Sequence, residues 1–339
     1  MLGRYTRGKL TSRGTKGFAL FTLVLLALTA CTGGTETEQE KAAGTAPAST
    51  NLSNCGVDLE LDGPPERVFT VKSSTLEMLL ALGLEDKVVG SAYLDGPVPD
   101  ELAPEGWSPN VVSDQIPSRE VFLSHDPDFV LAGWESNVSA DGIGERDELK
   151  DLGIESYVLP PACEFDDEVE QTVTFDDIFA MFDEVGAIFD VEQEVEELKA
   201  DQQQTLDDIE QPTEDVDVLW YSSGSDAPFV AGAAGTPQMI MEAAGVNNML
   251  DDVARTWFSI SWEGFVSEDP DFIVLVDAPW NTAEDKRERL ESHPAANRLD
   301  AVQDEKYIEV PFAATEAGIR NADAATMVAD AVAEAQASH

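Results

Sequence analysis

The sequence is poor in basic residues and in histidine, and both shortages exclude classes of function. Against 67 Asp and Glu it has only 20 Lys and Arg, which gives a formal net charge of −47. Nucleic acid is therefore excluded as a partner, because the phosphate backbone is bound by patches of Lys and Arg. The three histidines, His125, His293 and His339, are too few and too scattered for a nitrogen-rich zinc or manganese site.

The motifs of common enzyme classes are also missing. The chain has no Gly-x-Ser-x-Gly elbow and no phosphate-binding P-loop. A Ser–His–Asp hydrolase would need one of the three histidines, and none has a recognisable setting; His125, directly before Asp-Pro, is expected to be structural. We therefore expect a protein that is not an enzyme and that carries no cofactor.

Long hydrophobic runs are lacking, and a short one lies near the N-terminus. A basic head precedes the apolar stretch Phe18 to Leu28, which is too short to span a membrane but fits a secretory signal. Its end, Leu28-Thr29-Ala30-Cys31, resembles the bacterial lipobox. We expect residues 1–30 to be a lipoprotein signal peptide, Cys31 to be lipidated, and residues 31–53 to be a flexible tether on the outer face of the cell membrane.

Only two cysteines follow Cys31, namely Cys55 and Cys163. Because an exported protein meets an oxidising compartment, we expect a disulfide between them. A redox-active or metal-binding pair is the alternative, although no other soft ligand is near either cysteine in sequence.

What is present is a repeated α/β pattern. The phrase SHDPDFVLAGWESN (124–137) recurs as SEDPDFIVLVDAPWN (267–281), and short apolar runs alternate with helical segments around each copy. Strands that alternate with helices imply βαβ units and a mainly parallel sheet. Each copy therefore belongs to its own α/β lobe, and we predict these lobes at residues 54–173 and 211–339.

Residues 174–210 connect the two lobes. They contain no proline, and their apolar residues recur at intervals of three and four. This spacing predicts one long bridging helix rather than a flexible linker, with Gly186 as the point where it could bend.

This layout resembles a known family. Together with PERVFTVKSSTLEMLLALGLEDKVVG (65–90) and the repeated phrase, it resembles the helix-bridged (class III) substrate-binding proteins of ABC importers for ferric siderophores, haem and cobalamin. The resemblance covers roughly residues 54–337. It implies two Rossmann-like lobes, a small-molecule ligand in the cleft between them, and an ABC permease with its ATPase as partner. It also implies one permease-docking glutamate per lobe, at Glu77 and Glu242, and we expect a monomer.

Further stretches, including SDQIPSREVFLSHDPDF (113–129) and VPFAATEAGIRNADA (310–324), are similar to an actinobacterial branch. That branch is proposed to bind the precursor of a deazaflavin coenzyme, a flat aromatic ring with a phosphate-bearing tail. A ferric siderophore, haem or cobalamin is the alternative ligand within the class. A surface interaction or sensory lipoprotein without a transport role is the alternative from another class.

A flat anionic ligand would need aromatic rings for stacking and Arg or Lys for its charge. Candidates for both roles lie near the ends of predicted strands, where open α/β sheets bind ligands, and in the stretches that carry the resemblance. The aromatic candidates are Trp134, Trp220, Tyr221, Trp257 and Trp280, and the basic candidates are Arg119, Arg320 and Arg255. Each tryptophan could instead pack in the core, and each arginine could pair with a neighbouring carboxylate. A cleft with few cations would suit an uncharged hydroxamate complex or a corrinoid.

Overall fold

The computed structural model describes residues 50–163 and 172–337. The expected signal peptide, the expected lipidation site Cys31 and residues 31–49 of the expected tether lie outside these ranges. Among the described residues, no helix is both long enough and apolar enough to cross a membrane.

An N-terminal hairpin corrects the predicted end of the tether. Strand β1 (Thr50–Asn54) pairs antiparallel with β2 (Val57–Leu61), so the tether prediction for residues 50–53 is wrong. The amide of Asn54 holds the hairpin on the first sheet, because its Nδ2 donates to the carbonyl of Val158 and its Oδ1 accepts from the same residue's N–H, both at 2.8 Å. The polar sequence of β1 gave no apolar alternation by which this strand could be recognised.

The first lobe contains a parallel sheet of five strands in the order β5-β4-β3-β6-β7. The strands are β3 (Val68–Val71), β4 (Val88–Ala92), β5 (Val111–Ser113), β6 (Phe129–Ala132) and β7 (Glu155–Val158). The helices are α1 (Ser73–Ala81), α2 (Arg119–Leu123) and α3 (Arg146–Lys150). The chain moves outward from β3 on one side and returns to β6 on the other. This change of direction leaves a crevice at the carboxyl ends of β3 and β6.

The predicted single bridging helix is wrong, because two helices occupy this region. Helix α4 (Phe175–Phe189) ends where Asp190 adopts a left-handed conformation (φ 59, ψ 45), and α5 (Glu192–Asp207) runs back along it. Gly186 is a point of close approach rather than a bend, since a Cβ there would lie 2.9 Å from Cγ2 of Val195. A short polar residue such as Asp tolerates the left-handed conformation, so no Gly or Pro marked the break.

The second lobe contains a mixed sheet of six strands. Its main order is β11-β9-β8-β12-β13, and β10 pairs with β8. The strands are β8 (Asp217–Ser223), β9 (Phe229–Ala231), β10 (Asn247–Asn248), β11 (Trp257–Ser259), β12 (Phe272–Asp277) and β13 (Tyr307–Pro311). The helices are α6 (Gly235–Ala244), α7 (Trp262–Glu268), α8 (Ala283–Ser292), α9 (Asp300–Gln303), α10 (Phe312–Thr315) and α11 (Asn321–Ala337). Strands β8, β10, β12 and β13 are parallel, whereas β9 runs antiparallel to both β8 and β11.

The described residues belong to one compact unit, and one hydrophobic core extends through both lobes. It includes Leu131 of the first sheet, Phe182 of α4, Trp220 of the second sheet and Val328 of α11. Smaller cores cover the other face of each sheet. A shared core of this kind restricts how far the two lobes can move apart without exposing apolar surface.

A disulfide joins Cys55 and Cys163, the pair expected from the sequence, with a Cα–Cα distance of 5.3 Å. It connects the turn of the N-terminal hairpin to the segment after β7. The only group of potential metal ligands among the described residues consists of these two cysteines and Glu135. Because the disulfide takes both sulfur atoms, this group offers no thiolate to a metal.

Candidate functional site

A cavity of about 1070 Å³ lies between the lobes. Its lining includes residues that follow the carboxyl ends of strands in both sheets, which is where open α/β sheets bind ligands. Among the described residues, six aromatic side chains line this cleft: Tyr93, Trp134, Phe229, Trp257, Trp280 and Phe312. Tyr93 and Trp134 come from the first lobe and the other four from the second, so both lobes would contact a ligand.

Four of the rings form a row that crosses from one lobe to the other. The centroid of Trp134 lies 5.7 Å from Tyr93 and 6.5 Å from Phe312, and Phe312 lies 4.9 Å from Trp280, all with edge-to-face geometry. Trp280 is 54% exposed. An aromatic surface this open on the wall of a cavity is suited to contact with an apolar or planar ligand.

Lys72 lies beneath this row of rings. Its side chain is 0% exposed and forms an ion pair with Asp95. Its Nζ is 3.8 Å from the ring centroid of Trp134, 4.3 Å from Tyr93 and 5.1 Å from Phe312. These distances are typical of cation–π contacts, which are stronger where water is excluded. One buried ammonium group thus contacts aromatic residues of both lobes.

The backbone of Lys72 adopts an unfavourable conformation that places its side chain beneath the rings. Lys72 precedes α1 with φ 85 and ψ 155, a region that is almost confined to glycine and costs about 1–3 kcal/mol. Lys72 also packs closely against Gly133, because a Cβ on Gly133 would lie only 2.7 Å from Cβ of Lys72. Asp95 fixes the same turn, because its N–H donates to Oγ of Ser73 at 2.8 Å and its Oδ2 accepts from the N–H of Ser73 at 3.2 Å.

Glu316 is a second acidic group in the cleft. Its carboxylate accepts a hydrogen bond from Nε1 of Trp134. Burial raises the pKa of Glu316 to about 7, although the charge of Lys72 and the hydrogen bond from Trp134 act in the opposite direction. Burial also raises the pKa of Asp95, against the attraction of Lys72. The ionised form of Glu316 is therefore poorly compensated near neutral pH.

The charge of the lining is negative. Asp177, Glu184 and Glu316 line the cleft, and the described lining contains neither Lys nor Arg. A polyanionic ligand would therefore meet repulsion here without a compensating surface cation.

The structure brings together three of the five aromatic candidates. Trp134, Trp257 and Trp280 line the cleft. Trp220 and Tyr221 are buried in the cores on opposite faces of the second sheet, so neither side chain reaches the cleft. Strand β8 is covered on both faces, and a residue near the end of a fully covered strand packs inward whatever its polarity.

None of the three basic candidates lines the described cleft. Arg119 forms an ion pair with Glu148. Arg320 contacts Glu77 with two hydrogen bonds, of which Nε to Oε2 measures 2.7 Å. Arg255 is exposed on the segment before β11. In a chain this acidic, carboxylates pair with two of the three arginines that were expected to bind a ligand anion.

The two docking candidates have different surroundings. Glu77 is 1% exposed and paired with Arg320 across the lobes, and burial raises its pKa while Arg320 opposes that effect. It could meet a permease arginine only if this ion pair broke, so docking through Glu77 stays a prediction that requires release of Arg320. Glu242 is exposed on α6 and accepts a hydrogen bond from Nε2 of Gln238 at 2.8 Å.

Sequence reasoning missed the polar residues of the cleft floor, Lys72, Asp95 and Glu316, and the rings of Tyr93 and Phe312. A signal was available for three of them. Lys72, Tyr93 and Phe312 each directly follow a strand whose carboxyl end faces the cleft. The pairing of Lys72 with Asp95 had no signal in sequence, because it depends on how two loops meet.

Comparison with known proteins identifies the family. The sequence profile described as "Periplasmic binding protein" matches residues 68–314. Among curated proteins, none matches the chain. A solved periplasmic binding protein from Veillonella parvula DSM 2008 is 26% identical with a TM-score of 0.73, and the match covers 84% of this chain and 97% of that one.

Two further solved structures share the fold. The ABC-type Fe3+-hydroxamate transport system protein of Saccharomonospora viridis DSM 43017 has a TM-score of 0.70 at 24% identity, over 83% of this chain and 98% of that one. The periplasmic haem-binding protein HutB of Vibrio cholerae has a TM-score of 0.59 at 19% identity, over 78% and 98%.

The chain therefore belongs to the periplasmic binding protein family. Members of this family are extracytoplasmic substrate-binding components of transport systems and are generally not enzymes. The α/β class III fold expected from the sequence is confirmed.

Proposed function

We propose that this protein captures a small organic ligand in the cleft between its lobes and delivers it to the permease of an ABC importer. The observation that carries the proposal is the aromatic cleft, to which both lobes contribute side chains. A cavity of about 1070 Å³ is of the size that encloses a ligand of several hundred daltons. The lipobox at Cys31 supports a lipid anchor on the outer face of the membrane.

The preferred ligand is one with broad apolar surfaces and no strong negative charge, such as a neutral ferric hydroxamate complex or a corrinoid. Two features support this class: the open ring of Trp280, and a described lining that has three carboxylates and no Lys or Arg. The Saccharomonospora protein, which shares the fold, is described as part of an Fe3+-hydroxamate transport system.

The deazaflavin-coenzyme precursor is the second candidate. The row of Tyr93, Trp134, Phe312 and Trp280 supports it, because a flat ring could stack on these side chains. Its phosphate-bearing tail would add negative charge to a cleft whose described lining has three carboxylates and no Lys or Arg, which weakens this candidate relative to a neutral complex.

Docking to the permease is proposed for Glu242. Its carboxylate is exposed on the first helix after β9, beside Asp217 and Asp251, and this negative surface suits arginines of a permease. On the first lobe, Glu77 is proposed to dock to the permease only after its ion pair with Arg320 has broken.

The test is a fluorescence titration of the mature chain without its signal peptide. A neutral ferric trihydroxamate, a corrinoid, haem and the deazaflavin precursor would be added separately while tryptophan emission is followed. We expect saturable quenching by a neutral complex, weakened in Trp280→Phe and retained in the matched control Trp262→Phe, whose ring stacks on His293 outside the lining. Silence towards all four ligands would favour a protein without a transport role.

A further inference from the structure

The floor of the cleft contains an unbalanced charge. Lys72 and Asp95 form a buried ion pair and neutralise each other. Glu316 belongs to the same cluster. Its carboxylate accepts a hydrogen bond from Nε1 of Trp134 and is attracted by the charge of Lys72. The charges of the three groups sum to −1 when all are ionised, and no other cation lies in the described lining.

The surrounding rings are suited to a positive charge. The ammonium group of Lys72 already lies 3.8 Å from the centroid of Trp134 and 5.1 Å from that of Phe312. The same ammonium is 5.9 Å from the centroid of Trp280, the longest of these distances, and Trp280 is 54% exposed on the cavity wall, so its ring remains accessible to a ligand. Aromatic faces attract cations through the ring quadrupole, and the attraction increases when water is excluded.

An anionic group is disfavoured at the same place. The ammonium of Lys72 has 0% exposure and is held by Asp95, so it offers little to a ligand. Glu184 and Asp177 line the cleft as well, and a cavity lined by charges of one sign concentrates the field of that sign.

We propose that the ligand carries a cationic group of the ammonium type, which binds beside Glu316 and against the neighbouring aromatic rings. This inference rests on the proposed binding function and names the charge of the ligand and the residue that selects it. Glu316 is then a specificity-determining residue, and Trp134 positions its carboxylate through the indole hydrogen bond.

The test compares two probes that differ only in this group. One is a ferric trihydroxamate with a free primary ammonium, and the other is the same complex with that amine acetylated. We expect the mature wild-type protein to bind the ammonium form about tenfold more tightly, the size of a partly desolvated cation contact. Glu316→Gln should reduce this preference to less than about threefold, because the amide keeps the hydrogen bond from Trp134 but loses the charge.

The control variant is Glu184→Gln, which removes a lining carboxylate that already accepts a hydrogen bond from the hydroxyl of Tyr157 at 2.5 Å. It should keep most of the preference. Equal binding of both probes by the wild type, or the same loss in Glu184→Gln as in Glu316→Gln, would overturn the assignment of Glu316 while leaving the binding function intact.

If neither complex binds, the hydroxamate class fails and the cation is tested separately with an aryl trimethylammonium ion. Saturable quenching of tryptophan emission by this ion in the wild type, weakened about tenfold in Glu316→Gln, would support the cation site. Absence of any response in the wild type would overturn it.

Discussion

Replacing Glu316 by glutamine should stabilise the protein, and the gain should increase with pH. Burial raises the pKa of Glu316 from its ordinary value of 4.5 to about 7. A carboxyl group whose pKa is higher in the folded state stabilises the fold only while it is protonated. Its contribution is therefore complete below about pH 4.5 and is lost as the pH rises towards 7.

The size of the effect follows from the two pKa values. A difference of 7 − 4.5, about 2.5 pH units, corresponds to about 3 kcal/mol of lost stability above pH 7 at 1.36 kcal/mol per unit. The loss is still below about 1 kcal/mol at pH 5. The side chain is partly accessible, and water will screen some of this cost. Glutamine keeps the hydrogen bond to Trp134 without ionising, so we expect Glu316→Gln to gain about 2 kcal/mol at pH 8 relative to the wild type.

The assay is urea unfolding of both proteins at pH 5 and pH 8. Both values lie above the sequence pI of about 4.1, and the repulsion among the many other carboxylates is common to the two proteins. A variant that is less stable than the wild type at pH 8, or an equal difference at both pH values, would refute the claim that the cleft disfavours the ionised form of Glu316.

Three other changes test the packing around the cleft. Glu77→Ala leaves a largely buried arginine without its partner, so urea unfolding should show a loss of about 3 kcal/mol, and an unchanged midpoint would contradict the inter-lobe ion pair. Gly133→Ala places a Cβ 2.7 Å from Cβ of Lys72. This overpacking should lower the free energy of unfolding by about 1–3 kcal/mol and alter the tryptophan emission spectrum. A variant with the spectrum and stability of the wild type would contradict the close contact between Gly133 and Lys72. Reduction of the Cys55–Cys163 disulfide, with 108 residues of separation, should lower the free energy of unfolding by about 4–5 kcal/mol on the chain-entropy estimate, and a midpoint insensitive to reductant would argue against the bond.

The regular elements of both lobes could be predicted because their chemistry is local. Strands such as Phe129–Ala132 and Phe272–Asp277 are continuous apolar runs after Asp-Pro-Asp, and a parallel sheet that is covered on both faces requires such runs. Family resemblance added the position of the cleft. The break between α4 and α5 at Asp190 could not be predicted from the sequence, because the helical spacing of apolar residues continues across it. Only the packing of α5 against α4 shows that the chain turns.

The chemistry of the cleft was harder to predict because it depends on pairing between distant segments. Arg320 was expected to bind a ligand anion, but Glu77, 243 residues away, occupies its guanidinium group. Trp220 was a candidate because it lies near the end of a strand. That strand is central in the sheet, and the side chain of Trp220 is buried. The sequence indicated which loops reach the cleft. The sign of the charge in the cleft could be predicted only by knowing which groups pair with each ionisable side chain.

Selection by the aromatic cleft of a ligand without strong negative charge can be measured by calorimetric titration of the protein at low and high salt. A neutral ferric trihydroxamate and the phosphate-bearing deazaflavin precursor would be compared side by side, with Trp280→Phe as the cleft variant. We expect saturable binding of the neutral complex that is nearly independent of salt and weaker in Trp280→Phe. Saturable binding of the anionic precursor that weakens with salt, with no heat from the neutral complex, would contradict it.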